Sequence, residues 1–168
     1  MNSSYQVIAK AVRQGILEIN RKEHVIFTNP VGEKHLEALS DVKFSPCIFQ
    51  EYIQKKFDLR VTVIGDKVFP VEIHTSPNIT DSHFDWRRGD QETLYYKIHQ
   101  LPGKIEDLCR KIVHKMKLNF GAIDLVCSNS CEYYFLEINP NGQWAWIEQK
   151  TGLSLTKSLV DLLTGTEK

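Results

Sequence analysis

Two apolar stretches in the second half of the chain decide the fold. Residues 121–126 read Gly-Ala-Ile-Asp-Leu-Val, and residues 134–139 read Tyr-Phe-Leu-Glu-Ile-Asn. Their composition, with turn-forming residues between them, predicts a β-hairpin. Side chains alternate between the two faces of a strand, so Glu137 and Asn139 are expected on one face of the hairpin. That face is polar, although the stretches are otherwise apolar.

The register of this hairpin decides whether its polar side chains meet. If Ser128 lies opposite Tyr133 across the turn, Asp124 lies opposite Glu137, and both carboxylates share a face with the amide of Asn139. Two such carboxylates disfavour joint ionisation unless a cation or hydrogen bonds compensate. Oxygen-only ligands suit Mg²⁺ or Mn²⁺, whose shells phosphate oxygens and water complete. The hairpin therefore predicts a divalent metal site that binds a nucleotide.

A purely structural interpretation of the same residues stays open at this point. In it, Asp124 caps the turn region and Glu137 pairs with a lysine. Asn139 then simply begins the turn Asn-Pro-Asn-Gly at residues 139–142. The spacing alone does not separate this interpretation from the metal site.

The rest of the chain consists of predicted hairpins and helices in separate segments. A second hairpin is predicted at residues 59–73, and apolar periodicity behind a first-turn proline predicts a helix at residues 102–118. The polar segment at residues 76–91 is expected to be a functional loop. Further strands are predicted at residues 5–12, 16–19, 24–28 and 44–53, and further helices at residues 32–40 and 154–163. This order favours an α+β fold with antiparallel sheets.

The composition is that of an ordinary folded domain. Of the 168 residues, 42% are hydrophobic and 25% are charged, which excludes intrinsic disorder. The net charge of zero argues against a nucleic-acid partner.

No apolar run could span a bilayer and no secretion signal is found, so no membrane partner and a cytoplasmic location are expected. Cys127 and Cys131 are spaced like zinc ligands but lack a second pair, so neither zinc nor a disulfide is expected.

The hairpin also carries a recognisable motif. Residues 135–142 read Phe-Leu-Glu-Ile-Asn-Pro-Asn-Gly and follow Gly-Ala-Ile-Asp at residues 121–124. Together they resemble the metal-binding motif of ATP-grasp ligases. Upstream, Phe-Gln-Glu-Tyr-Ile at residues 49–53 and Asp-Leu-Arg-Val at residues 58–61 resemble the hinge and following strand that hold adenine and ribose in that superfamily. The three motifs fall in the order that the superfamily has.

Within this superfamily, the chain most resembles the branch of ribosomal-protein glutamate ligases and microviridin-type (graspetide) peptide macrocyclases. Asp-Trp-Arg at residues 85–87 and Asn-Gly-Gln-Trp at residues 141–144 also have counterparts there. The resemblance implies an ATP-grasp fold, in which two α+β lobes with antiparallel sheets hold the nucleotide between them. Residues 1–53 would form part of the smaller lobe, and residues 54–168 would form the larger lobe with the metal and phosphate site. The N-terminal domain that normally precedes them is expected to be missing, as in a fragment or a truncated product.

The resemblance also implies roles for individual residues. Asp124, Glu137 and Asn139 would carry two Mg²⁺ (or Mn²⁺) ions that bridge the ATP phosphates. Asp58 would accept hydrogen bonds from the ribose hydroxyls, and Lys10 would reach the phosphates, its alternative being a solvated strand lysine. The adenine edge would bind to the hinge, which without the resemblance would read as an ordinary strand. The hinge residues concerned are Gln50, Glu51, Tyr52 and Ile53.

Two arginines are candidate catalytic residues. The guanidinium fork of Arg60 or Arg87 matches phosphoryl oxygens and could steady the transferred phosphate or the acyl-phosphate. The alternative for Arg60 is a cross-strand ion pair with Glu72, and the alternative for Arg87 is an exposed position in the loop. The neighbouring Arg88 is expected to be solvated.

The motif and the polar face together favour an ATP-dependent ligase that forms an amide or ester bond through an acyl-phosphate. ATP is the expected partner, with a precursor peptide or a small amino acid as substrate, and a homodimer is a further candidate assembly. The alternative function is a non-catalytic nucleotide- or peptide-binding module that retains the ATP-grasp scaffold. A metal-dependent phosphoesterase is a third, less favoured function, since it needs no hinge motif.

Overall fold

The computed structural model describes residues 6–12, 16–75, 84–88 and 93–166 of the chain. Tyr5, at the start of the first predicted strand, and most of the predicted loop lie outside the described residues. No helix in the described part is both long enough and apolar enough to cross a membrane.

The chain divides into two compact units. The first comprises Met1–Ile53 and Thr75–Thr93, and the second comprises Gln54–His74 and Leu94–Lys168. The assignment of a smaller and a larger nucleotide-binding lobe remains a prediction, because compactness alone does not identify a lobe.

The first unit is built on short strands and single helical turns. Its elements are β1 (Val7–Ala11), β2 (Ile16–Ile19), β3 (Lys22–Val25), β4 (Asn29–Pro30), α1 (Glu33–Glu37), a 3-10 helix (Leu39–Phe44), β5 (Cys47–Glu51) and a second 3-10 helix (Trp86–Arg88). The strands form an antiparallel sheet of order β4-β1-β5 and a separate hairpin, β2-β3. The helix predicted over residues 32–40 is therefore split, since α1 ends at Glu37 and a 3-10 helix follows.

The second unit is a five-stranded antiparallel sheet with three helices, and one strand and one helix of it were not predicted. Its elements are β6 (Lys55–Ile64), β7 (Lys67–His74), β8 (Tyr95–Ile98), α2 (Gly103–Lys115), β9 (Phe120–Ser128), β10 (Tyr133–Asn139), α3 (Ala145–Thr151) and α4 (Leu155–Thr164). The strand order is β10-β9-β6-β7-β8. The predicted α+β fold with antiparallel sheets is confirmed.

Apolar side chains cover both faces of this sheet. On one face, alternate residues of β6 and β9 pack against Cys109 and Val113 of α2. On the other face, Ile64 and Val71 pack against Ile147 of α3 and the first residue of α4. The tryptophans at positions 144 and 146 join this second cluster. The second face therefore carries both helix packing and the polar side chains described next.

Candidate functional site

The β9-β10 hairpin brings the two predicted carboxylates together. Asp124 is the cross-strand partner of Glu137, and Asn139 is the partner of Ala122. Directly opposed residues of an antiparallel pair point to the same face, as do alternate residues along a strand. Asp124, Glu137 and Asn139 therefore share one face of the sheet.

A bulge in β10 sets this register. Near the turn Tyr133 lies opposite Cys127, so its predicted pairing with Ser128 is wrong. The register then shifts by one residue between Phe135 and Glu137. This shift restores the predicted pairing of Asp124 with Glu137, because a bulge places two residues of one strand against one of the other.

Arg60 completes a row of three charged side chains across neighbouring strands. It is the partner of Asp124 in β6, and its Nε lies 2.9 Å from Asp124 Oδ1. The two side chains are only 13% and 19% exposed, so solvent screens this ion pair less than one at the surface. The alternative pairing with Glu72 is wrong, because Glu72 lies opposite Leu59 and therefore on the other face.

Glu137 and Asn139 are both exposed. Glu137 makes no hydrogen bond or ion pair with another described residue, so the predicted alternative of a lysine partner is wrong. Asn139 does begin the turn, since its Oδ1 accepts a hydrogen bond of 2.9 Å from the Asn141 N–H. An amide oxygen has two lone pairs, so this oxygen keeps one for a ligand.

The turn after β10 packs closely on β9 and Arg60 because Gly142 has no side chain. A Cβ added there would overlap the Cβ of Ala122 and would lie 3.3 Å from Arg60 Nη1. Ala122 is fully buried in the middle of the sheet, so its Cβ is fixed by the backbone. The glycine therefore allows the turn to approach the Arg60–Asp124 pair.

Gly142→Ala is expected to destabilise the chain by about 1–3 kcal/mol, since overpacking forces the surrounding backbone to move. The matched control is Gly103→Ala at the start of α2, where an added Cβ meets nothing within 4 Å. Denaturant unfolding of both variants measures the difference. Equal stability of the two variants would contradict the close packing at Gly142.

The polar face fits a hydrated divalent cation together with an anion. Its three donors are all oxygens, which Mg²⁺ prefers, and the guanidinium of Arg60 offsets one negative charge. The buried Nε of Arg60 faces Asp124 Oδ1 at 2.9 Å without hydrogen-bond geometry, so this contact is an ion pair. The described part of the chain contains no cluster of three or more His, Cys, Asp or Glu suited to a metal. Two carboxylates and one amide would therefore need ligand oxygens to complete a metal shell.

Asp58 lies on the same face as Arg60 but is already ion-paired. Lys55 Nζ is 2.6 Å from Asp58 Oδ1, and these side chains are 11% and 9% exposed. No motif in the sequence points to Lys55, although its position three residues before Asp58 is the available signal. The ribose contact of Asp58 stays a prediction.

In the first unit, Lys10 and Gln50 lie on one face of the small sheet. β1 and β5 pair Lys10 with Ile48 and Ile8 with Gln50, which places all four on that face. Glu51 points to the opposite face and is exposed. The structure thus groups Lys10 with Gln50 and separates Glu51 from them, while their nucleotide roles stay predictions.

Tyr52 and Ile53 directly follow β5. The Tyr52 N–H donates a hydrogen bond of 2.7 Å to the Gln6 carbonyl oxygen, and the Tyr52 ring packs on Phe84 with centroids 5.0 Å apart. Ile53 is half-buried. The predicted hinge therefore continues the pairing of β5 with the chain before β1.

Arg87 is held by a carboxylate of its own segment. Its Nε and Nη2 donate to the two oxygens of Asp85 at 2.8 and 2.7 Å, in a bidentate pair. The Thr28 N–H also donates to Asp85, at 3.1 Å. The side chain of Arg87 is 44% exposed, so Arg87 is a surface residue whose guanidinium is held in place by Asp85. Its role on phosphate stays a prediction.

Asp85 makes the stability of the chain sensitive to acid. Burial alone would raise the pKa of Asp85, but Arg87 and the backbone N–H groups of Thr28 and Arg87 outweigh burial and lower the pKa below its ordinary value. A carboxyl with a lowered folded pKa stabilises the fold above its unfolded pKa, and this contribution is lost as the pH falls through the folded pKa.

Asp85→Asn is therefore expected to cost about 2 kcal/mol at neutral pH and progressively less below about pH 4. Urea unfolding of wild type and variant across this range measures the difference. Asp41→Asn, at an exposed carboxylate of the same unit, is the control and should change stability little at any pH. A difference for Asp85→Asn that does not change with pH would contradict the charged contact.

The prediction for Arg88 is wrong. Instead of being solvated, it donates to the Thr28 carbonyl oxygen at 3.0 Å and to Asn29 Oδ1 at 2.6 Å. Its guanidinium also lies 5.1 Å from the centre of the Phe27 ring. Arg88 and Asp85 therefore tie the second 3-10 helix to the segment around Thr28. Such long-range partners leave no signal in the local sequence.

The antiparallel sheets of the chain, with helices covering the five-stranded one, are those of an ATP-grasp fold. The model of the RimK-like ATP-grasp domain matches residues 24–163, and the chain belongs to this family. The predicted resemblance to the ATP-grasp ligases is confirmed. No curated protein shows a significant match to the sequence.

Several solved structures resemble the chain. A RiPP-associated ATP-grasp ligase of Chryseobacterium gregarium, in complex with ADP and a leader and core peptide, is 32% identical with a TM-score of 0.87 over 97% of this chain and 49% of its own. Macrocyclase MdnC of Microcystis aeruginosa MRC, bound with precursor peptide MdnA, is 29% identical with a TM-score of 0.81 over 98% of this chain and 50% of its own.

A third structure, ATP-grasp ligase PsnB complexed with a phosphomimetic variant of minimal precursor, Mg and ADP, shares the fold. It is 22% identical with a TM-score of 0.76 over 96% of this chain and 47% of its own. The chain thus spans about half the length of each of these three proteins.

Proposed function

We propose that the face carrying Asp124, Glu137 and Asn139 binds the phosphates of ATP together with Mg²⁺, as part of an ATP-dependent ligase. The observation that carries this proposal is the cross-strand pairing of Asp124 with Glu137 beside Arg60. Membership of the RimK-like ATP-grasp family supports it. When bound, Mg²⁺ would neutralise phosphate oxygens and orient the terminal phosphoryl group for transfer.

Each residue of the face would contribute through its present position. Asp124 and Glu137 supply carboxylate oxygens, and Asn139 supplies an amide oxygen that its turn already orients. Arg60 supplies positive charge beside Asp124, which stabilises the negative charge that develops on a transferred phosphoryl group. Because these residues are on strands, their backbone positions are fixed before the nucleotide arrives.

Other contacts are proposed on the same basis. Asp58, which pairs with Lys55, would accept a hydrogen bond from a ribose hydroxyl, and the backbone at residues 50–53 would bind the adenine edge. Lys10 would contribute positive charge toward the phosphates. Arg87 would steady the acyl-phosphate only by exchanging its contact with Asp85 for one with the ligand.

The proposed reaction has two steps. A substrate carboxylate oxygen attacks the terminal phosphorus of ATP, which forms an acyl-phosphate and releases ADP. An amine or hydroxyl then attacks the acyl carbon, which releases phosphate and a proton and forms an amide or ester. The structural neighbours that are bound to leader, core or precursor peptides favour a peptide as the substrate.

Incubating the chain with ATP, Mg²⁺ and candidate peptides tests this function. We expect ADP and phosphate to be released and a peptide to lose one molecule of water by mass spectrometry. Nucleotide binding without any turnover would instead favour the non-catalytic binding module. Phosphate release that needs no peptide would favour a phosphoesterase.

A further inference from the structure

The opposite face of the second unit has an apolar groove between α2 and β10. The groove encloses about 250 Å³. Two of its walls are half-exposed, with Leu108 of α2 51% and Phe135 of β10 49% accessible to solvent. The other lining residues are Ile105, Cys109, Ile112, Ile123, Leu125 and Tyr133. The cavity is thus large enough for an apolar side chain to enter from outside.

A row of lysines runs along the helix beside this groove. Lys104 precedes Leu108 by one helical turn, and Lys111 and Lys115 follow it by one and two turns. Residues at these spacings lie on one stripe of a helix. All three lysines are exposed, and none forms an ion pair with another described residue.

The acidic residues of α2 do not neutralise this row. Glu106 and Asp107 both pair with Arg110, whose Nε also donates to the Asp66 carbonyl oxygen at 2.9 Å. Asp107 lies about one turn from both Lys104 and Lys111, but its carboxylate is already paired with Arg110 Nη1 at 2.6 Å. On the helix side, the groove is therefore bordered by three lysines whose acidic neighbour on α2 is already paired with Arg110.

The opposite wall is rigid. Tyr133 OH lies 2.9 Å from His99 Nε2, and His99 Nδ1 lies 2.6 Å from Glu72 Oε1. Glu72 is 5% exposed and also contacts His74 Nε2 at 2.6 Å. These bonds connect the wall residue to β7 and hold its ring at the end of the groove, so little ordering is needed on binding.

We propose that this groove binds an acidic peptide segment with apolar side chains. An apolar side chain of the segment fills the cavity between Leu108 and Phe135, and neighbouring carboxylates face Lys104, Lys111 and Lys115. The charge complementarity selects an acidic segment over a basic one, and the cavity supplies an anchor. The surface lies on the face of the sheet opposite Asp124, so the inference does not depend on the proposed nucleotide site.

Fluorescence anisotropy with a labelled peptide that alternates glutamate with leucine or phenylalanine tests the proposal. We expect saturable binding by the wild-type chain that weakens as salt is added, and no binding of the same peptide with lysine in place of glutamate. Failure of the wild-type chain to bind the acidic peptide, or equal binding of the basic one, would overturn the proposal.

Two variants locate the binding. Lys111→Glu with Lys115→Glu should weaken binding by about tenfold or more, through lost attraction and new repulsion. Leu108→Ser should weaken it by about tenfold through loss of the apolar contact. Lys22→Glu with Lys150→Glu carries the same charge change on exposed residues elsewhere and should leave binding unchanged.

Sedimentation of the same proteins tests whether a second copy of the chain, instead of a peptide, covers the groove. If the wild-type chain is a dimer that Leu108→Ser dissociates, a second copy covers the groove and the peptide proposal is overturned. Equal peptide binding by wild type and both groove variants would also overturn it.

Discussion

Glu137→Ala is expected to weaken Mg²⁺-dependent nucleotide binding to the chain by about two orders of magnitude or more. Replacing groups that only support a metal ligand typically costs about 10–100-fold in affinity, so losing a ligand should cost at least as much. The carboxylate of Glu137 makes no hydrogen bond or ion pair with another described residue, so its removal is expected to leave the fold intact. Calorimetry with a non-hydrolysable ATP analogue, with and without Mg²⁺, measures the effect.

Glu132→Ala is the matched control for this experiment. Glu132 is an exposed glutamate at the other end of the same hairpin, where it bonds Ser130 and Tyr134 at 3.0 Å each. We expect its replacement to leave nucleotide affinity unchanged. If both variants bind the nucleotide as well as wild type, Glu137 is not a metal ligand.

Arg60→Met is expected to lower the rate of ADP release in the peptide assay by about a thousandfold. Arginines that stabilise a transferred phosphoryl group contribute factors of about 10³–10⁵ in other enzymes. The substitution also leaves Asp124 without its partner at 2.9 Å. Arg60→Lys should recover part of the rate, because it restores the charge but not the fork. ADP release under single-turnover conditions measures both variants.

The control for Arg60 is Arg110→Met on α2. Replacing Arg110 likewise removes ion pairs, here with Glu106 and Asp107, but Arg110 lies on the other side of the sheet from Asp124. We expect near wild-type activity for this variant. A rate for Arg60→Met equal to that of Arg110→Met would show that Arg60 has no role in phosphoryl transfer.

The long, periodic elements of the second unit could be predicted from sequence because their own residues specify them. The apolar spacing along α2 and the alternation along β9 are local patterns, and both elements were expected. The four-residue β8 and the seven-residue α3 were not predicted, since their sequences are too short to show a period. They depend on packing against β7 and the second apolar cluster.

The candidate site could likewise be predicted from sequence only in part. The shared face of Asp124 and Glu137 followed from alternation and an assumed turn, although the assumed pairing at the turn was wrong and the bulge in β10 compensated for it. The pairing of Arg60 with Asp124 depends on the register between β6 and β9, which lie more than fifty residues apart in the chain. Nothing in either strand alone specifies that register, so an ion pair with Glu72 was an equally reasonable alternative.

The arginines beside Asp85 illustrate the same limit in the first unit. The bidentate contact of Arg87 with Asp85 is nearly local, but Arg88 finds its partners about sixty residues upstream, at Thr28 and Asn29. A sequence pattern can indicate that a charged residue needs a partner. It cannot say which distant segment supplies one.

Paramagnetic broadening by Mn²⁺ tests the central claim most directly. With ADP and Mn²⁺ added to the isotope-labelled chain, the amide signals of Asp124, Glu137 and Asn139 should broaden first, and Mg²⁺ should reverse the effect. Broadening of other residues while these three signals stay sharp, or no broadening at all, would contradict a divalent metal site on this face.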